Sequence, residues 1–192
     1  MFACSEKRMS VLSRALQLAA LGAALAVGVT ACATEESGAA PVAEAQVDQA
    51  LVVRYGMTWL QKTRIVDVQG VGSDATTDAY DGDTPCNVSL PLLCIRKSGL
   101  AQPGYITSTS TNRWTGGFLA MSRGHLGTDL TSSAAGDAIC AGELGAGWEF
   151  AEFHDGGGGW NFQGYGSAAL APNRFWVEIS NQPANCWNSA YR

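Results

Sequence analysis

The stretch from Ser132 to Asp155, SSAAGDAICAGELGAGWEFAEFHD, carries the local signals that decide the fold. It opens with hydroxyl residues that can cap a helix, because their oxygens accept hydrogen bonds from the free N–H groups of the first turn. The residues that follow predict a short helix carrying Cys140, and Gly145 and Gly147 predict where this helix ends. A strand running from Trp148 to Asp155 is predicted next.

Alternation in that predicted strand places Glu152 and His154 on one face and Asp155 on the other. A carboxylate beside an imidazole can perform general acid–base chemistry or bind a metal. The competing interpretation is structural, with His154 and Asp155 closing the strand by hydrogen bonds to the glycine run that follows. Trp160, at the end of that run, is a candidate contact residue because tryptophan offers a large apolar area and a hydrogen-bond donor.

The rest of the domain is predicted to be sheet-rich. Strands of β-branched and aromatic residues are expected at Leu51–Tyr55, Arg64–Val68, Leu90–Ile95, Tyr105–Thr109, Phe118–Met121 and Phe175–Ile179. Between the last two of these lies a predicted loop, Ser122–Thr131, which contains His125. The fold class expected from this pattern is α+β, a twisted antiparallel sheet with one or two short helices, stapled by disulfides.

The N-terminal segment is typical of an export signal. Basic residues precede an uncharged apolar run, Ala15–Val29, which is too short to anchor a protein as a transmembrane helix. Val29-Thr30-Ala31-Cys32 resembles a bacterial lipobox, in which the cysteine is lipidated after cleavage. Ordinary cleavage after Ala33 is the alternative. The predicted organisation is a signal peptide at 1–31, a flexible tether at 32–50 and one globular domain at 51–192.

The charge of the chain restricts its partners. The sequence has 12 Lys and Arg against 17 Asp and Glu, a net charge of −5. Removal of residues 1–31 takes away three bases and one acid and leaves a net charge of −7. Nucleic acids and anionic lipid surfaces bind clustered Lys and Arg, and no such cluster is present in the sequence. The membrane is therefore expected as a partner only through the lipid on Cys32, at the bacterial outer membrane or cell surface.

Four cysteines lie in the predicted domain: Cys86, Cys94, Cys140 and Cys186. An even number of cysteines in an exported chain is typical of disulfide bonding. Of the three possible pairings, the favoured one joins Cys86 to Cys94 around a short loop with two prolines, and Cys140 to Cys186. The second bond would clamp the helix to the C-terminal end and stabilise the fold by about 4 kcal/mol.

Four carboxylates crowd a stretch of small residues, Asp74, Asp78, Asp81 and Asp83. Calcium takes six to eight oxygen ligands, so this stretch is a weak candidate for a calcium site. The spacing lacks the order of a dedicated calcium loop, and a solvated acidic loop is the alternative. No other cofactor is expected.

Three features together resemble a C-type-lectin-like or endostatin-like domain: Cys140 on the helix, the segment Arg174-Phe175-Trp176-Val177, and the closing Cys186-Trp187-Asn188. Gln182-Pro183-Ala184-Asn185 is similar to the sugar-binding Gln-Pro-Asp loop of that family. Ala184 and Ser189 stand where the family has calcium-binding carboxylates, so calcium-dependent sugar binding is not implied. The resemblance adds Asn185 and Trp187 to the candidate ligand-binding residues.

Three functions fit this sequence. The first is a cell-surface lipoprotein with a lectin-like binding or adhesion domain for a glycan or protein ligand. The second is a hydrolase, metal-dependent or acid–base, built on Glu152 and His154, although neither G-x-S-x-G nor H-E-x-x-H occurs. The third is a structural envelope lipoprotein, and the expectation is that the chain is not an enzyme.

Overall fold

A computed structural model of the chain describes residues 52–166 and 174–192. The predicted signal peptide and tether, with Cys32, lie outside these residues, and their assignments stay predictions. The described ranges contain nine strands, one α-helix and a short 3-10 helix at Gly127–Asp129. The strands are β1 (Tyr55–Gly56), β2 (Thr58–Ile65), β3 (Val68–Gly72), β4 (Thr84–Pro85), β5 (Ser89–Lys97), β6 (Asn112–Leu126), β7 (Glu149–Phe150), β8 (Asn161–Tyr165) and β9 (Phe175–Trp176).

Six strands close into a barrel-like ring. They pair in the order β6, β8, β3, β2, β9 and β5, and β5 pairs with β6 to complete the circuit. Two of the pairings are parallel, β6 with β8 and β5 with β9. The sheet is therefore mixed, whereas the sequence predicted an antiparallel sheet. The architecture is a sheet-rich α+β domain with one helix and two disulfides.

The ring encloses one core, and the helix covers another. Every strand of the ring contributes a buried residue to the first cluster, which centres on Trp59, Phe162 and Phe175. The second cluster lies between the sheet and helix α1 (Ser133–Leu144) and contains Trp176 and the four cysteines of the described ranges. Successive residues of a strand point to opposite faces, which is why adjacent residues of β9 reach different cores.

Helix α1 begins where the sequence predicts. Ser132 is its N-cap, and its side chain accepts a hydrogen bond of 3.1 Å from the Ala135 N–H. Gly145 ends the helix at a φ of 101°, a conformation that glycine adopts without steric cost. None of the helices in the described ranges is long and apolar enough to cross a membrane.

The predicted pairing of the cysteines is wrong. The disulfides join Cys86 to Cys186 and Cys94 to Cys140, each with 5.7 Å between the Cα atoms. Cys94 lies inside β5, and extended chain between Ser89 and Cys94 alone spans roughly 17 Å. That length is too great for the predicted loop disulfide, whose Cα atoms would have to lie within about 7 Å.

Several predicted elements differ from the structure. The strand predicted at Arg64–Val68 is wrong, because this stretch contains the turn between β2 and β3, and the strand predicted at Phe175–Ile179 is regular only over Phe175–Trp176. The predicted strand from Trp148 to Asp155 is cut short at Phe150, because local side chain–backbone bonds form a turn beyond Ala151. The predicted loop Ser122–Thr131 is in its first half a continuation of β6, which pairs with β5 as far as Leu126. No strand forms at Tyr105–Thr109, where Ile106 N–H bonds back to the Pro103 carbonyl in a turn.

Candidate functional site

The structure brings together three candidate residues, Glu152, His154 and Asp155, in the turn after β7. His154 Nδ1 lies 2.8 Å from Glu152 Oε1. Asp155 Oδ2 accepts a 2.8 Å hydrogen bond from the Glu152 N–H, and Asp155 Oδ1 pairs with Lys97 Nζ at 2.7 Å. The predicted proximity of carboxylate and imidazole therefore exists, in a tight turn rather than along a strand.

The Glu152 carboxylate is occupied by structural hydrogen bonds. It accepts from the His154 N–H at 2.6 Å, from the Ser180 N–H at 2.9 Å and from the Ser180 hydroxyl at 3.1 Å. Burial acts to raise the pKa of Glu152, but these bonds outweigh it and hold the pKa below its usual value. The carboxylate thus stays ionised and fastens the turn to the chain that leaves β9.

Asp155 and Lys97 form a second structural link in this turn. Burial raises the pKa of Asp155, although the Lys97 ammonium group opposes that shift. Trp160 is 37% exposed and packs edge-on against Phe153, with ring centroids 5.1 Å apart. Both carboxylates of the turn, Glu152 and Asp155, therefore have protein partners, and the exposed Trp160 ring lies beside the turn.

Asn185 is a structural residue. Its side chain is buried and bonds to both the N–H and the carbonyl of Ile179, at 2.9 Å each. Its main-chain N–H donates to the Asn188 side chain at 3.0 Å. These bonds fold the C-terminal tail back on itself. They also occupy the side-chain polar atoms of Asn185, which the resemblance had assigned to ligand binding.

Trp187 lines an open pocket of about 470 Å³ whose lining includes none of Glu152, His154 and Asp155. Its apolar lining includes the Cys86–Cys186 disulfide, Leu130, Val52 and Val53. Trp187 and Tyr191 supply its aromatic surface, and Arg54 its positive charge. Asn87, Thr128 and Thr131 add uncharged polar groups to the lining.

The pocket forms because the tail is tied to the first described segment. Val53 and Arg192 exchange two main-chain hydrogen bonds, of 3.1 and 3.0 Å, and Arg54 forms an isolated β-bridge with Tyr191. The Arg54 guanidinium donates to the Trp187 carbonyl and lies 4.6 Å above the Tyr191 ring centroid. The disulfide of Cys186 completes the attachment.

Glycines allow the disulfide to sit against the main chain here. A Cβ atom added at Gly56 would lie 2.7 Å from Cys186 Sγ, and one added at Gly127 would lie 2.6 Å from the same atom. Real Cβ contacts do not come so close, so both positions require glycine for this packing. The disulfide that lines the pocket is therefore accommodated by glycines far apart in the sequence.

Sequence reasoning found Trp187 but missed Arg54 and Tyr191. The signal for Tyr191 was its closeness in sequence to Trp187. Arg54 gave no local signal, since it precedes Tyr191 by more than a hundred residues and only the closed fold brings them together.

Arg174 contacts two of the four residues in the aspartate stretch. Its guanidinium pairs with Asp74 and lies 3.5 Å from Asp83 Oδ1. Burial acts to raise the pKa of Asp74, but hydrogen bonds from Thr76 and Arg174 hold it well below its usual value. Asp78 accepts main-chain hydrogen bonds of 2.8 and 2.9 Å from Tyr80 and Asp81. In the part of the chain that the structure describes, no three metal-ligating side chains gather in one place.

The chain was also compared with known proteins. Searches against protein-family models, curated proteins and solved structures found no match.

Proposed function

We propose that this chain is an exported binding protein whose ligand site is the pocket formed by Arg54, Trp187 and Tyr191. The observation that carries the proposal is the pocket itself, an open cavity of about 470 Å³ with two aromatic rings beside one guanidinium. Small-molecule sites are concave, mostly apolar and equipped with a few polar groups that orient the ligand. Its volume falls within the usual range of such sites.

The acid–base alternative has weaker support. Hydrogen bonds keep the Glu152 carboxylate ionised, which excludes it as a general acid near neutral pH, and they occupy both of its oxygens, which a general base would need free. The same bonds tie His154 and Ser180 into the turn. The weak calcium candidate likewise gains no support, because Asp74 and Asp83 are paired with Arg174. The lectin-like resemblance does not carry the proposal.

Export and lipid attachment at Cys32 belong to the same proposal. Two disulfides support an oxidising compartment, since they persist outside the reducing cytosol. The lipid itself rests on the lipobox-like sequence. In the producing bacterium, Cys32→Ser should move the protein from the membrane fraction to the soluble fraction, and unchanged membrane association would argue against lipidation.

A ligand panel tests the pocket, with a matched pair of tyrosine variants. The full-length protein is titrated with glycans, cell-wall fragments and small aromatic compounds. Tyr191→Ala should weaken binding at least about tenfold, because truncating an anchoring aromatic residue commonly costs 2 kcal/mol or more. Tyr80→Ala is the control, because Tyr80 is equally exposed (59% against 63%) and is not part of the pocket lining.

Two outcomes would count against the pocket. Equal affinity in both variants would place the ligand elsewhere on the protein. A panel without any binding would favour the structural envelope role.

A further inference from the structure

The pocket has a distribution of charge that points to one class of ligand. Of the residues that line it, Arg54 carries a formal charge and none is acidic. The chain as a whole has a net charge of −5. A cationic pocket in an acidic protein disfavours cationic ligands at the site and favours an anion there.

We propose that the pocket binds a carboxylate attached to a ring, with the carboxylate on Arg54 and the ring against Trp187 and Tyr191. This inference rests on the proposed function, since it names the ligand class for the same pocket. Two sources share this chemistry, the uronic acid of a glycan and an aromatic carboxylic acid.

Arg54 is held in position before any ligand arrives. Its guanidinium donates to the Trp187 carbonyl and lies against the Tyr191 ring, 4.6 Å from the centroid. A guanidinium has five N–H groups, so this hydrogen bond leaves the group capable of binding a carboxylate as well. A preorganised donor loses less conformational entropy on binding, and charge-assisted hydrogen bonds are about twice as strong as neutral ones.

The aromatic residues suit a ring rather than an extended chain. Trp187 is partly buried and Tyr191 is exposed, so the tryptophan is the more fixed of the two surfaces. The disulfide and Leu130 add apolar surface to the lining, against which a sugar ring or an aromatic ring can pack. A volume near 470 Å³ accommodates one or two rings.

Acid–amide pairs test this inference on the unmodified protein. Glucuronic acid is compared with glucuronamide, and indole-3-acetate with indole-3-acetamide, by titration calorimetry in low salt. In at least one pair the acid should bind about tenfold more tightly, because a hydrogen bond to a charged group contributes roughly 1.5–3 kcal/mol. The preferred pair identifies the source, and the preference should shrink in high salt.

Variants at Arg54 locate the preference. Arg54→Gln should abolish the advantage of the acid, whereas Arg54→Lys should keep part of it because the charge remains. Arg54 also supports the tail, so Arg54→Gln could disturb the fold. The acid–amide comparison on the unmodified protein does not depend on that variant.

The outcomes separate this inference from the proposed function. Equal binding of acid and amide in both pairs overturns the carboxylate assignment, and leaves the pocket supported if Tyr191→Ala weakens that binding. If none of the four compounds binds but a neutral ligand from the panel does, and Tyr191→Ala weakens that binding, the carboxylate assignment is likewise overturned and the pocket remains supported. Failure of every compound, panel included, overturns both.

Discussion

Glu178 is a buried carboxyl group at the junction of the helix and the sheet. Burial and the nearby carboxylates of Asp137, Glu152 and Asp155 together raise its pKa to about 7, against a hydrogen bond from Ser133 that lowers it. Ser133 Oγ donates to Glu178 Oε1 over 3.0 Å. The folded protein therefore keeps a proton on Glu178 at pH values where the unfolded chain, with a pKa near 4.5, has lost it.

The sign of the pH effect follows from that difference. Between about pH 4.5 and 7 the folded state binds more protons than the unfolded state, so this group makes the free energy of unfolding fall as pH rises. Glu178→Gln removes the charge and keeps the acceptor for Ser133. The variant should be more stable than the parent at pH 8, by on the order of 1 kcal/mol, with little difference at pH 4.5.

Urea unfolding at the two pH values, with the disulfides intact, measures this effect. Glu149→Gln is the control, because Glu149 is an exposed glutamate paired with Lys97. A parent and a Glu178→Gln variant with the same pH dependence would show that Glu178 does not titrate in this range.

At the residue scale, the sequence identified polar and aromatic side chains as candidate site residues, but it did not predict which residues they contact. The segment in which a strand was expected, Phe175–Ile179, does alternate: Phe175, Val177 and Ile179 belong to the core inside the ring, and Trp176 belongs to the core under the helix. The contact of Arg54 with Tyr191 could not be predicted, since nothing local to either residue indicates the other. Asn185 was named for ligand binding, and its hydrogen bonds to Ile179 show a structural role.

At the scale of elements, helix α1 is packed tightly on one side and open on the other. A Cβ atom added at Gly136 would lie 2.8 Å from Phe150 Cγ, whereas one added at Gly142 has nothing within 4 Å. Gly136→Ala should destabilise the fold by about 1–3 kcal/mol through overpacking, despite its gain in helix propensity. Gly142→Ala should stabilise it by roughly 0.5–1 kcal/mol.

The two glycine variants control for each other, because both make the same substitution in the same helix. Chemical denaturation of both proteins gives the comparison. Stabilisation by Gly136→Ala would mean that the helix does not pack on Phe150 as described.

Elements with local signals were predicted well, and those that depend on side chain–backbone competition were not. The helix was predicted because its cap and its terminal glycine lie within the same stretch. The strand after it was predicted too long, because Glu152 and Asp155 accept hydrogen bonds from nearby main-chain N–H groups and form a turn. The alternation of side chains over Trp148–Asp155 does not show that such hydrogen bonds will replace strand pairing.

At the scale of the molecule, the ring of six strands and the cysteine pairing are products of long-range contacts. β5 and β9 are parallel neighbours, and Leu92 lies opposite Trp176. Cysteine spacing gives the set of possible bonds, and only the positions of Cys94 in β5 and Cys140 on the helix select among them. The central claim is that Cys86 holds the tail at Cys186 and so forms the pocket.

Disulfide mapping without reduction tests this claim most directly. Trypsin leaves Cys86 and Cys94 on one peptide, 65–96, with Cys140 on 124–174 and Cys186 on 175–192. The structure predicts one species containing all three peptides, which chymotrypsin, cutting after Leu92 or Leu93, resolves into a Cys86–Cys186 pair and a Cys94–Cys140 pair. Peptide 65–96 with an internal disulfide, beside a separate Cys140–Cys186 pair, would contradict the fold and the pocket with it.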